Sequence, residues 1–380
     1  MSKETSICTI VSHTPYCINE NGEIVGLGST VEEIDHLSKL FIKVFHCAPL
    51  HSGEPPKSFI PHKSMNIHLI PLKPAGGKNF TEKFHHILLF QRNLRKIIFC
   101  LKSSDWLHFR APTGLGILFL PWAFIFWKKG LWIKYAGSWI NKSAPLSYKF
   151  QRLLLTIFPK NTKISINGNF ENHRRNFFDF INPCFDNHTL EKANLISKEK
   201  DFNEKLKLLF VGRLGKEKGL DDLFNILQNM TNHDNIDSLT IIGESDNIKI
   251  YEKWATSLPI KVIFKGALSR RTVFKFYAKS HIIVLLSKTE GFPKVIMEAG
   301  AYGCVPLLSN LDNFRLHIKN NYNGIIFDTE IIRKLSIAFQ NVLSDKSKLK
   351  YYSNNIVNTS KLFTFENYLS KIKKQVLSSD

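Results

Sequence analysis

Acidic side chains are scarce in this sequence. Its 380 residues include 52 Lys and Arg against 32 Asp and Glu, which gives a formal net charge of +20. The shortage is greatest from Lys78 to Arg175, where 17 basic residues accompany three acids, and no acid occurs between Trp106 and Phe170. So basic a chain favours an anionic partner, either nucleic acid or the anionic face of a membrane.

The cysteines lack regular spacing, and the first residues lack the features of a signal peptide. Six cysteines are scattered without a Cys-x-x-Cys pair, which excludes a disulfide framework and a zinc-finger type of site and favours a reducing compartment. Residues 1–6 run directly into an apolar, strand-like segment, without the charged, apolar and cleavage regions of a signal peptide. We therefore expect a cytoplasmic protein.

Long apolar runs are also missing. The longest, Leu115–Trp127, is interrupted by Pro121 and as a helix would rise only about 20 Å, short of the roughly 30 Å hydrocarbon core of a bilayer. It therefore does not span a membrane. Two interpretations stay open: a buried core helix with a solvated basic rim, or an apolar anchor that, with Lys128 and Lys129, binds an anionic membrane surface.

The chain does contain enough apolar material for two cores. Hydrophobic residues make up 43 % of it, and strand-like and helix-like segments alternate in both halves, which predicts mainly parallel sheets covered by helices. The fold class is α/β, with two doubly wound Rossmann-like domains facing each other across a cleft. We place the first domain at residues 1–172, an irregular linker at 173–204, the second domain at 205–355, and a C-terminal helix that can cross back to the first domain at 356–380.

The first chemical signal lies at residues 208–220, Leu-Leu-Phe-Val-Gly-Arg-Leu-Gly-Lys-Glu-Lys-Gly-Leu. A buried strand ends at Val211, Gly212 allows a tight turn, and Arg213 and Lys218 precede a helix. Glycine, two cations and a helix N-terminus together are typical of a diphosphate site. The alternative is an ordinary strand–turn–helix unit with solvated cations.

The second signal lies at residues 289–300, Thr-Glu-Gly-Phe-Pro-Lys-Val-Ile-Met-Glu-Ala-Gly. Glu290, in the loop, can reach sugar hydroxyls. Glu298, about one and a half turns into the next helix, can accept two hydrogen bonds from a vicinal diol such as ribose, or it can pair with a neighbouring cation. Backbone groups of the intervening residues point toward phosphates, which makes them donor-binding candidates: Gly291, Phe292, Pro293 and Lys294.

The two segments together resemble glycosyltransferase family 4. They read Val-Gly-Arg-Leu-x-x-x-Lys-Gly and, about 75 residues later, Glu-Gly-Phe-Pro-x-Val-x-x-Glu-Ala-x-Ala-x-Gly-x-x-Pro, and the resemblance spans at least Leu206 to Phe327. It implies retaining enzymes of the GT-B fold, with the acceptor on the first domain and a nucleotide sugar on the second. It also implies that Arg213 and Lys218 hold the donor diphosphate, Glu298 the ribose and Glu290 the transferred sugar.

The first half resembles the family more loosely. Gly26-Leu-Gly28 stands where the family has a glycine pair whose backbone approaches the donor phosphates, which makes Gly28 a donor-binding candidate. Asp105–Pro112 resembles the segment that carries a His near the reacting sugar. Arg110 stands at the second of two positions where many members have His, so it becomes a catalytic candidate for contact with a sugar acid, a phosphate or an anionic acceptor. His108, at the first position, is interpreted as a core histidine.

The charges predict a mechanism and a set of partners. Arg213, Lys218 and helix-end amides stabilise the leaving diphosphate, and no Asp-x-Asp motif occurs that would hold a metal. We therefore expect no metal and no cofactor, with a UDP- or GDP-sugar as the donor. Because the resemblance implies a retaining enzyme and the sequence offers no convincing enzymic nucleophile, we expect same-face displacement assisted by the leaving phosphate. The basic, apolar first half favours a glycan or lipid-linked acceptor in bacterial surface polysaccharide synthesis and a location at the inner face of the plasma membrane.

Two alternatives from other classes stay open. One is a basic protein that binds nucleic acid or a membrane without catalysis, which the apolar interruptions of the basic segment disfavour, so that we expect no nucleic-acid partner. The other is a non-catalytic relative that binds nucleotide sugars, which the presence of all four donor-site side chains disfavours.

Overall fold

The computed structural model describes residues 6–74, 80–139, 145–157, 162–167, 176–245, 247–291, 294–328 and 331–378. The chain forms two compact units. Unit 1 comprises Met1–Ile181 together with Tyr368–Asp380, and unit 2 comprises Asn182–Asn367. The end of the chain therefore belongs to the first unit.

Unit 1 is built on a parallel sheet. Its strands are β1 (Ile7–Val11), β4 (Lys43–Pro49), β6 (Ile67–Leu72), β7 (Trp106–Ala111), β8 (Gly130–Ser138), β9 (Thr162–Asn167) and β10 (Phe177–Phe180). The described strands lie in the order β10-β9-β8-β7-β1-β4-β6, and each neighbouring pair is parallel. Most of these strands are apolar on both faces because helices cover a parallel sheet on both sides.

Five helices and a small second sheet complete unit 1. The helices are α1 (Gly28–Ser38), α2 (Phe80–Leu101), α3 (Gly116–Phe126), α4 (Leu146–Ile157) and α13 (Phe365–Gln375), counted over the described residues. The small antiparallel sheet joins β2 (Tyr16–Ile18), β3 (Ile24–Leu27) and β5 (Phe59–Pro61). Tyr368 and Ile372 of α13 pack in the core with Ile10 and Ile34, which explains why the chain ends in this unit.

Unit 2 is a second doubly wound parallel sheet. Its strands are β11 (Leu206–Val211), β12 (Ile236–Ile242), β13 (Lys261–Phe264), β14 (Ile282–Leu285), β15 (Val305–Ser309) and β16 (Ile325–Phe327). Its helices are α5 (Asn187–Lys198), α6 (Leu220–Asn229), α7 (Ile248–Ala255), α8 (Arg270–Lys279), α9 (Lys294–Ala301), α10 (Asp312–Arg315), α11 (Ile332–Ser344) and α12 (Lys346–Ser360). The described strands lie in the order β13-β12-β11-β14-β15-β16.

The alternation of strands and helices predicted for both halves is confirmed, and the predicted linker is wrong in part. Residues 173–204 contain β10 and α5 instead of irregular chain. Phe177 and Phe180 are buried and extend the sheet beside β9. Helix α5 begins with an N-cap, because the Asp186 carboxylate accepts a hydrogen bond from the Thr189 backbone N–H at 2.8 Å. Strand β10 and helix α5 were not predicted because the segment is polar overall.

The last segment also differs from its prediction. A single helix over 356–380 is replaced by α12, a short 3-10 helix at Lys361–Phe363, and α13. In the part of the chain that the structure describes, no helix is both long and apolar enough to cross a membrane. All six cysteines are buried free thiols.

Candidate functional site

The two sequence motifs of unit 2 follow neighbouring strands. The glycine- and cation-rich loop leaves β11, and the loop that carries Glu290 leaves β14, which pairs with β11 in parallel. The sheet continues from β11 through β12 to β13 on one side, and from β14 through β15 to β16 on the other. The strand order thus reverses between β11 and β14, and a crevice at such a point is where doubly wound sheets bind ligands.

The loop after β11 leaves open space along its backbone. A Cβ atom on Gly212 would have the Phe210 ring as its nearest described neighbour, at 4.0 Å, and one on Gly215 would have none within 4 Å. Packing therefore does not require glycine at these two positions. The space is free for a ligand that approaches the backbone closely, as a diphosphate does.

Glycine is required for packing at Gly219, where this loop meets the other one. Gly219 is in the left-handed region, with φ of 74°, and a Cβ there would lie 2.1 Å from the carbonyl oxygen of Leu286. The Lys288 backbone N–H donates to the Glu217 carbonyl oxygen at 3.0 Å. The two motif loops are therefore held together by their backbones before any side chain is considered.

An ion pair joins the same two loops. Lys218 Nζ lies 2.5 Å from Glu290 Oε1, with the lysine side chain 31 % exposed and the glutamate side chain 10 % exposed. The Ser287 hydroxyl donates to the same Oε1 at 2.9 Å, and the Asn313 side-chain amide donates to the Glu290 carbonyl oxygen. Glu290 is thus oriented by three neighbours and still reaches the surface.

Arg213 lies on the same loop as Lys218 and is exposed. Among the described residues, no hydrogen bond or ion pair holds its guanidinium. A cation without a protein partner, next to a lysine that has a carboxylate partner, leaves a positive charge available to an anionic ligand.

Gly291 and Lys294 are half-buried at the start of α9, whereas Phe292 and Pro293 lie outside the described residues.

Glu298 is buried and already paired. Its Oε1 accepts from Arg270 Nε at 2.9 Å and lies 2.8 Å from a terminal guanidinium nitrogen of the same side chain. Its Oε2 accepts from the Tyr277 hydroxyl at 3.2 Å. Burial and the neighbouring Glu298 carboxylate raise the pKa of Tyr277 well above its usual value, so the hydroxyl stays a donor. Of the two roles that the sequence leaves open for Glu298, the pairing with a neighbouring cation is present here.

Arg110 has a protein partner in unit 1 that the sequence does not predict. Its two terminal nitrogens lie 2.8 and 3.2 Å from the two carboxylate oxygens of Glu33, in a bidentate pair. Lys134 Nζ contacts Glu33 Oε1 at 2.5 Å, and the Tyr368 hydroxyl donates to the same oxygen at 3.1 Å. The sequence predicts a ligand contact for Arg110, whereas in the structure its charge helps to satisfy a buried carboxylate.

His108 and Gly28 have structural roles in the same unit. His108 is buried and stacks on Trp132 with ring centroids 3.7 Å apart, and burial, with the nearby Arg110 and Lys134 charges, lowers its pKa well below the usual value. His108 is therefore a core residue, as interpreted, with Nδ1 at 3.3 Å from the Trp132 carbonyl oxygen, but the expectation of a fully satisfied histidine is not met, because its buried Nε2 has no hydrogen-bond partner among the described residues. A Cβ on Gly28 would lie 2.7 Å from the Ser58 carbonyl oxygen, so close backbone packing explains this glycine.

Within unit 2, the structure brings the candidates of the two motif loops together. Gly212, Arg213, Lys218, Glu290 and Gly291 lie on two joined loops of unit 2, whereas Arg110 and Gly28 belong to unit 1. Sequence reasoning missed Arg270, Tyr277, Ser287 and Asn313, which orient the two glutamates. Ser287 could have been found from its position three residues before Glu290, but Arg270 and Tyr277 lie on α8 and Asn313 lies on α10, away from the motif in the sequence. In the described part of the chain, no three His, Cys, Asp or Glu side chains form a group that could hold a metal ion.

Comparisons with known proteins match the segment that carries the two motif loops. Residues 191–359 match the family model described as glycosyl transferases group 1, a segment that contains both motif loops and makes up less than half of the chain. The chain is 30 % identical to an uncharacterized glycosyltransferase of Methanocaldococcus jannaschii over 163 residues, which are 42 % of this chain and 40 % of that protein. It is 22 % identical to the alpha-galactosylglucosyldiacylglycerol synthase of Streptococcus pneumoniae over 231 residues, which are 59 % and 58 %. The chain thus spans less than two thirds of each of these relatives.

The fold is shared with solved structures over nearly the whole chain. The structure of the Anabaena protein Alr3699/HepE in complex with UDP and glucose matches with a TM-score of 0.68 at 13 % identity, covering 98 % of this chain and 100 % of that one. At this identity the likeness concerns the fold alone. It is the GT-B fold with two Rossmann-like halves, and the predicted fold class is confirmed.

Proposed function

We propose that the protein is a retaining glycosyltransferase that transfers a sugar from a nucleotide-diphosphate sugar to a glycan or a lipid-linked acceptor. The observation that carries this proposal is the Lys218–Glu290 pair, which joins the two motif loops outside the carboxyl ends of β11 and β14. The family match over residues 191–359 and the fold shared with a protein solved with UDP and glucose support it.

The chemistry follows from the charges that develop. Breaking the sugar–phosphate bond places negative charge on the leaving diphosphate, which the exposed Arg213 and the half-buried Lys218 stabilise. Open space beside Gly212 and Gly215 admits the phosphates. Glu290, held by Ser287 and Lys218, accepts hydrogen bonds from hydroxyls of the transferred sugar. Attack on the same face, assisted by the leaving phosphate, retains the configuration of the sugar.

The donor is a UDP- or GDP-sugar, and its binding needs no metal because two side-chain cations neutralise the diphosphate. A thermal-shift screen against UDP-, GDP- and ADP-sugars in EDTA tests this directly. We expect one nucleoside class to raise the melting temperature, with product of retained anomeric configuration once an acceptor is supplied. Stabilisation or turnover that disappears in EDTA and returns with manganese would contradict metal independence, and no response to any nucleotide sugar would contradict the proposed donor.

We further propose that the enzyme works at the inner face of the plasma membrane, bound through α4. The apolar residues Leu146, Phe150, Leu153 and Ile157 follow one another at intervals of three or four residues and are all exposed, which places an apolar stripe on the outer face of this helix. The opposite face of α4 is buried and carries Gln151, Leu154 and Leu155.

The basic residues near this apolar stripe favour an anionic lipid surface as its partner. Lys149 is exposed on α4, Lys128 and Lys129 are exposed just after α3, and no acid occurs between Trp106 and Phe170. Helix α3 adds the exposed side chains of Ile125 and Phe126. Apolar insertion together with basic residues is typical of helices that lie in a membrane interface.

Flotation with phosphatidylglycerol vesicles tests the membrane proposal. Leu153→Asp should weaken binding at least tenfold, because an apolar side chain contributes about 1.5–3 kcal/mol when buried. Leu195→Asp is a matched control, since Leu195 is exposed to a similar extent on α5 of unit 2. Binding should also weaken at high salt. Equal behaviour of the two variants, or equal flotation with neutral vesicles, would contradict it.

A further inference from the structure

A continuous series of hydrogen bonds runs through unit 1 from its surface to the carboxyl end of β1. Asp35 Oδ1 lies 2.8 Å from His62 Nδ1, and the Tyr16 hydroxyl lies 2.7 Å from His62 Nε2. The same hydroxyl lies 3.0 Å from His46 Nδ1, and His46 Nε2 lies 2.8 Å from Ser12 Oγ. These five side chains form one unbroken set of contacts, which we call the histidine series.

Asp35 fixes the charge at the outer end of the histidine series. Burial opposes the ionisation of Asp35, but hydrogen bonds from His62 and from the Lys63 backbone N–H lower its pKa below the usual value. Its carboxylate is therefore ionised and can only accept hydrogen bonds, so His62 Nδ1 carries a hydrogen. A second hydrogen, on His62 Nε2, is compatible with this contact but is not required by it.

His46, in the middle of the histidine series, stays neutral. It is fully buried on β4, and among the described residues the charged or titratable groups that face it from outside the series are Arg110 and His108, both on β7. Burial and the positive charges around it lower the pKa of His46 well below its usual value. A neutral imidazole carries its hydrogen on one nitrogen only, so His46 donates to one neighbour and accepts from the other.

Two arrangements of hydrogens satisfy these contacts, and they differ by one proton on His62. When His62 Nε2 is bare, it accepts from the Tyr16 hydroxyl, which in turn accepts from His46 Nδ1–H. His46 Nε2 then accepts from the Ser12 hydroxyl. When His62 Nε2 carries a hydrogen, each of these hydrogen bonds reverses, and the Ser12 hydroxyl donates to Thr14 Oγ1 at 3.0 Å. The second arrangement results when Ser12 takes up a proton and the series passes a proton on to His62.

The inner end of the histidine series lies where a doubly wound sheet binds ligands. Ser12 directly follows β1, which pairs in parallel with β4 on one side and with β7 on the other. The strand order of unit 1 therefore reverses between β1 and β7, and the crevice outside such a reversal is a typical binding site. His13, the next residue, is exposed, and at the outer end the His62 side chain is 14 % exposed. The series thus connects this end of the sheet with a histidine that reaches the surface.

We propose that the histidine series is a proton relay, which takes one proton from a hydroxyl group bound at the carboxyl end of β1 and delivers one to His62. The inference rests on the proposed function, in which the acceptor hydroxyl loses one proton as the new glycosidic bond forms. The relay gives that proton a route to the surface of unit 1.

The transfer balances at every step. The O–H bond of the ligand breaks and its proton goes to Ser12 Oγ, while the Ser12 proton goes to His46 Nε2. The His46 Nδ1 proton goes to the Tyr16 oxygen, and the Tyr16 proton goes to His62 Nε2. His62 becomes an imidazolium beside the Asp35 carboxylate, and every member between the two ends is neutral again.

Histidine tautomers in the wild-type protein test the relay without any substrate. Long-range proton–nitrogen NMR of protein labelled with ¹⁵N-histidine distinguishes a hydrogen on Nδ1 from one on Nε2. We expect His46 to carry its hydrogen on Nδ1 at pH 8 and on Nε2 at pH 5, as His62 gains a proton over this range. The same His46 tautomer at both pH values, or conversion of His46 to an imidazolium, would overturn the inference.

Tyr16→Phe interrupts the relay while keeping the aromatic ring. His46 should then keep one tautomer at both pH values, because the charge on His62 no longer reaches it through hydrogen bonds. Tyr251→Phe is the matched control, since the buried Tyr251 also donates one hydrogen bond, to Asp221 at 2.7 Å in unit 2. Exchange of the His46 tautomer in Tyr16→Phe as in the wild type would contradict the relay.

Turnover tests whether the transfer reaction uses the relay. The assay is hydrolysis of the nucleotide sugar selected by the thermal-shift screen, with water as the acceptor. Tyr16→Phe should lower kcat about 100-fold with donor KM unchanged, as the loss of general acid–base assistance implies, and Tyr251→Phe should match the wild type. Wild-type kcat in Tyr16→Phe would refute the role of the relay in transfer.

Melting temperatures establish first that each variant folds. Should Tyr16→Phe fail to fold, His62→Gln replaces it, because glutamine cannot take up the proton at the outer end and His46 should again keep one tautomer. Failure of the wild type to turn over any nucleotide sugar would contradict the proposed function. The tautomers, measured without substrate, decide the relay itself.

Discussion

Glu290 and Glu298 belong to one motif but are held in different ways. Glu290 reaches the surface between Lys218 and Ser287, whereas Glu298 is buried between Arg270 and Tyr277. The sequence could predict both carboxylates because their spacing is local. It could not predict Arg270, which lies 28 residues earlier on another helix, since only the fold brings that side chain to Glu298.

The cations of the β11 loop should act mainly on the transition state. The diphosphate gains charge as the glycosidic bond breaks, so Arg213→Ala or Lys218→Ala should lower kcat about 10- to 150-fold, as expected for a charged hydrogen bond of about 1.5–3 kcal/mol. Glu298→Ala should instead raise donor KM, because the ribose does not change during the reaction. Steady-state kinetics measure both effects.

Lys216→Ala is the control for these kinetics. Lys216 is exposed in the same short 3-10 helix as Lys218, so its removal changes the net charge without touching Glu290. Its kinetics should match those of the wild type. Wild-type turnover by both Arg213→Ala and Lys218→Ala would show that the diphosphate is not held there.

Buried histidines should make the protein sensitive to mild acid. Burial, together with the nearby Lys200 and Lys207 charges, lowers the pKa of His281 to about 4, below the usual value of about 6.5 in an unfolded chain. Between these values the unfolded state binds more protons, so stability falls as the pH drops from about 6.5 to 4. For His281 this amounts to about 2 kcal/mol between pH 7 and pH 5.

Urea unfolding at pH 7 and pH 5 measures this contribution. The test variant is His281→Asn, because the asparagine side-chain oxygen can still accept the hydrogen bond that the Lys207 backbone N–H gives to His281 Nδ1. Its loss of stability between pH 7 and pH 5 should be about 2 kcal/mol smaller than that of the wild type. His188→Asn, at an exposed position of α5, should leave the loss unchanged. An identical pH dependence of wild type and His281→Asn would contradict the assignment.

At the scale of elements, the regular parts of the chain were the predictable ones. The alternation of apolar strands and amphipathic helices predicted the two sheets, because each hydrophobic pattern lies within a single strand or helix. The small sheet of β2, β3 and β5 was missed, since its strands have only three or four residues and β5 pairs with β3 across a long stretch of sequence. The junction of the two motif loops was likewise hidden, because it depends on backbone contact between distant segments.

Gly219 should be essential to that junction. Alanine at a left-handed position costs about 1–2 kcal/mol by itself, and at Gly219 its Cβ would also collide with the Leu286 carbonyl oxygen. Gly219→Ala should therefore destabilise the protein by more than this and weaken donor binding. Gly266→Ala is matched to it, because Gly266 has a similar φ of 63° and open space around it. Equal losses of stability in urea for the two variants would rule out the contact as the cause.

At the scale of the whole molecule, the two-domain GT-B architecture was predictable and the buried network of unit 1 was not. Glu33, Arg110, Lys134 and Tyr368 come from α1, β7, β8 and α13, so nothing in the local sequence links them. In this network Glu33 is the bidentate partner of Arg110. It also joins the last helix to the core of the unit in which the chain begins.

In the proposed function, the crevice outside β11 and β14 binds a nucleoside diphosphate through Arg213 and Lys218. Titration calorimetry of UDP and GDP in EDTA measures this most directly, with the wild type, the Arg213→Ala/Lys218→Ala double variant and Lys216→Ala. We expect one site per chain for one of these nucleotides, at least tenfold weaker binding by the double variant, and unchanged binding by Lys216→Ala. Wild-type affinity in the double variant, or no binding of either nucleotide by the wild-type protein, would show that Arg213 and Lys218 do not bind a nucleoside diphosphate there.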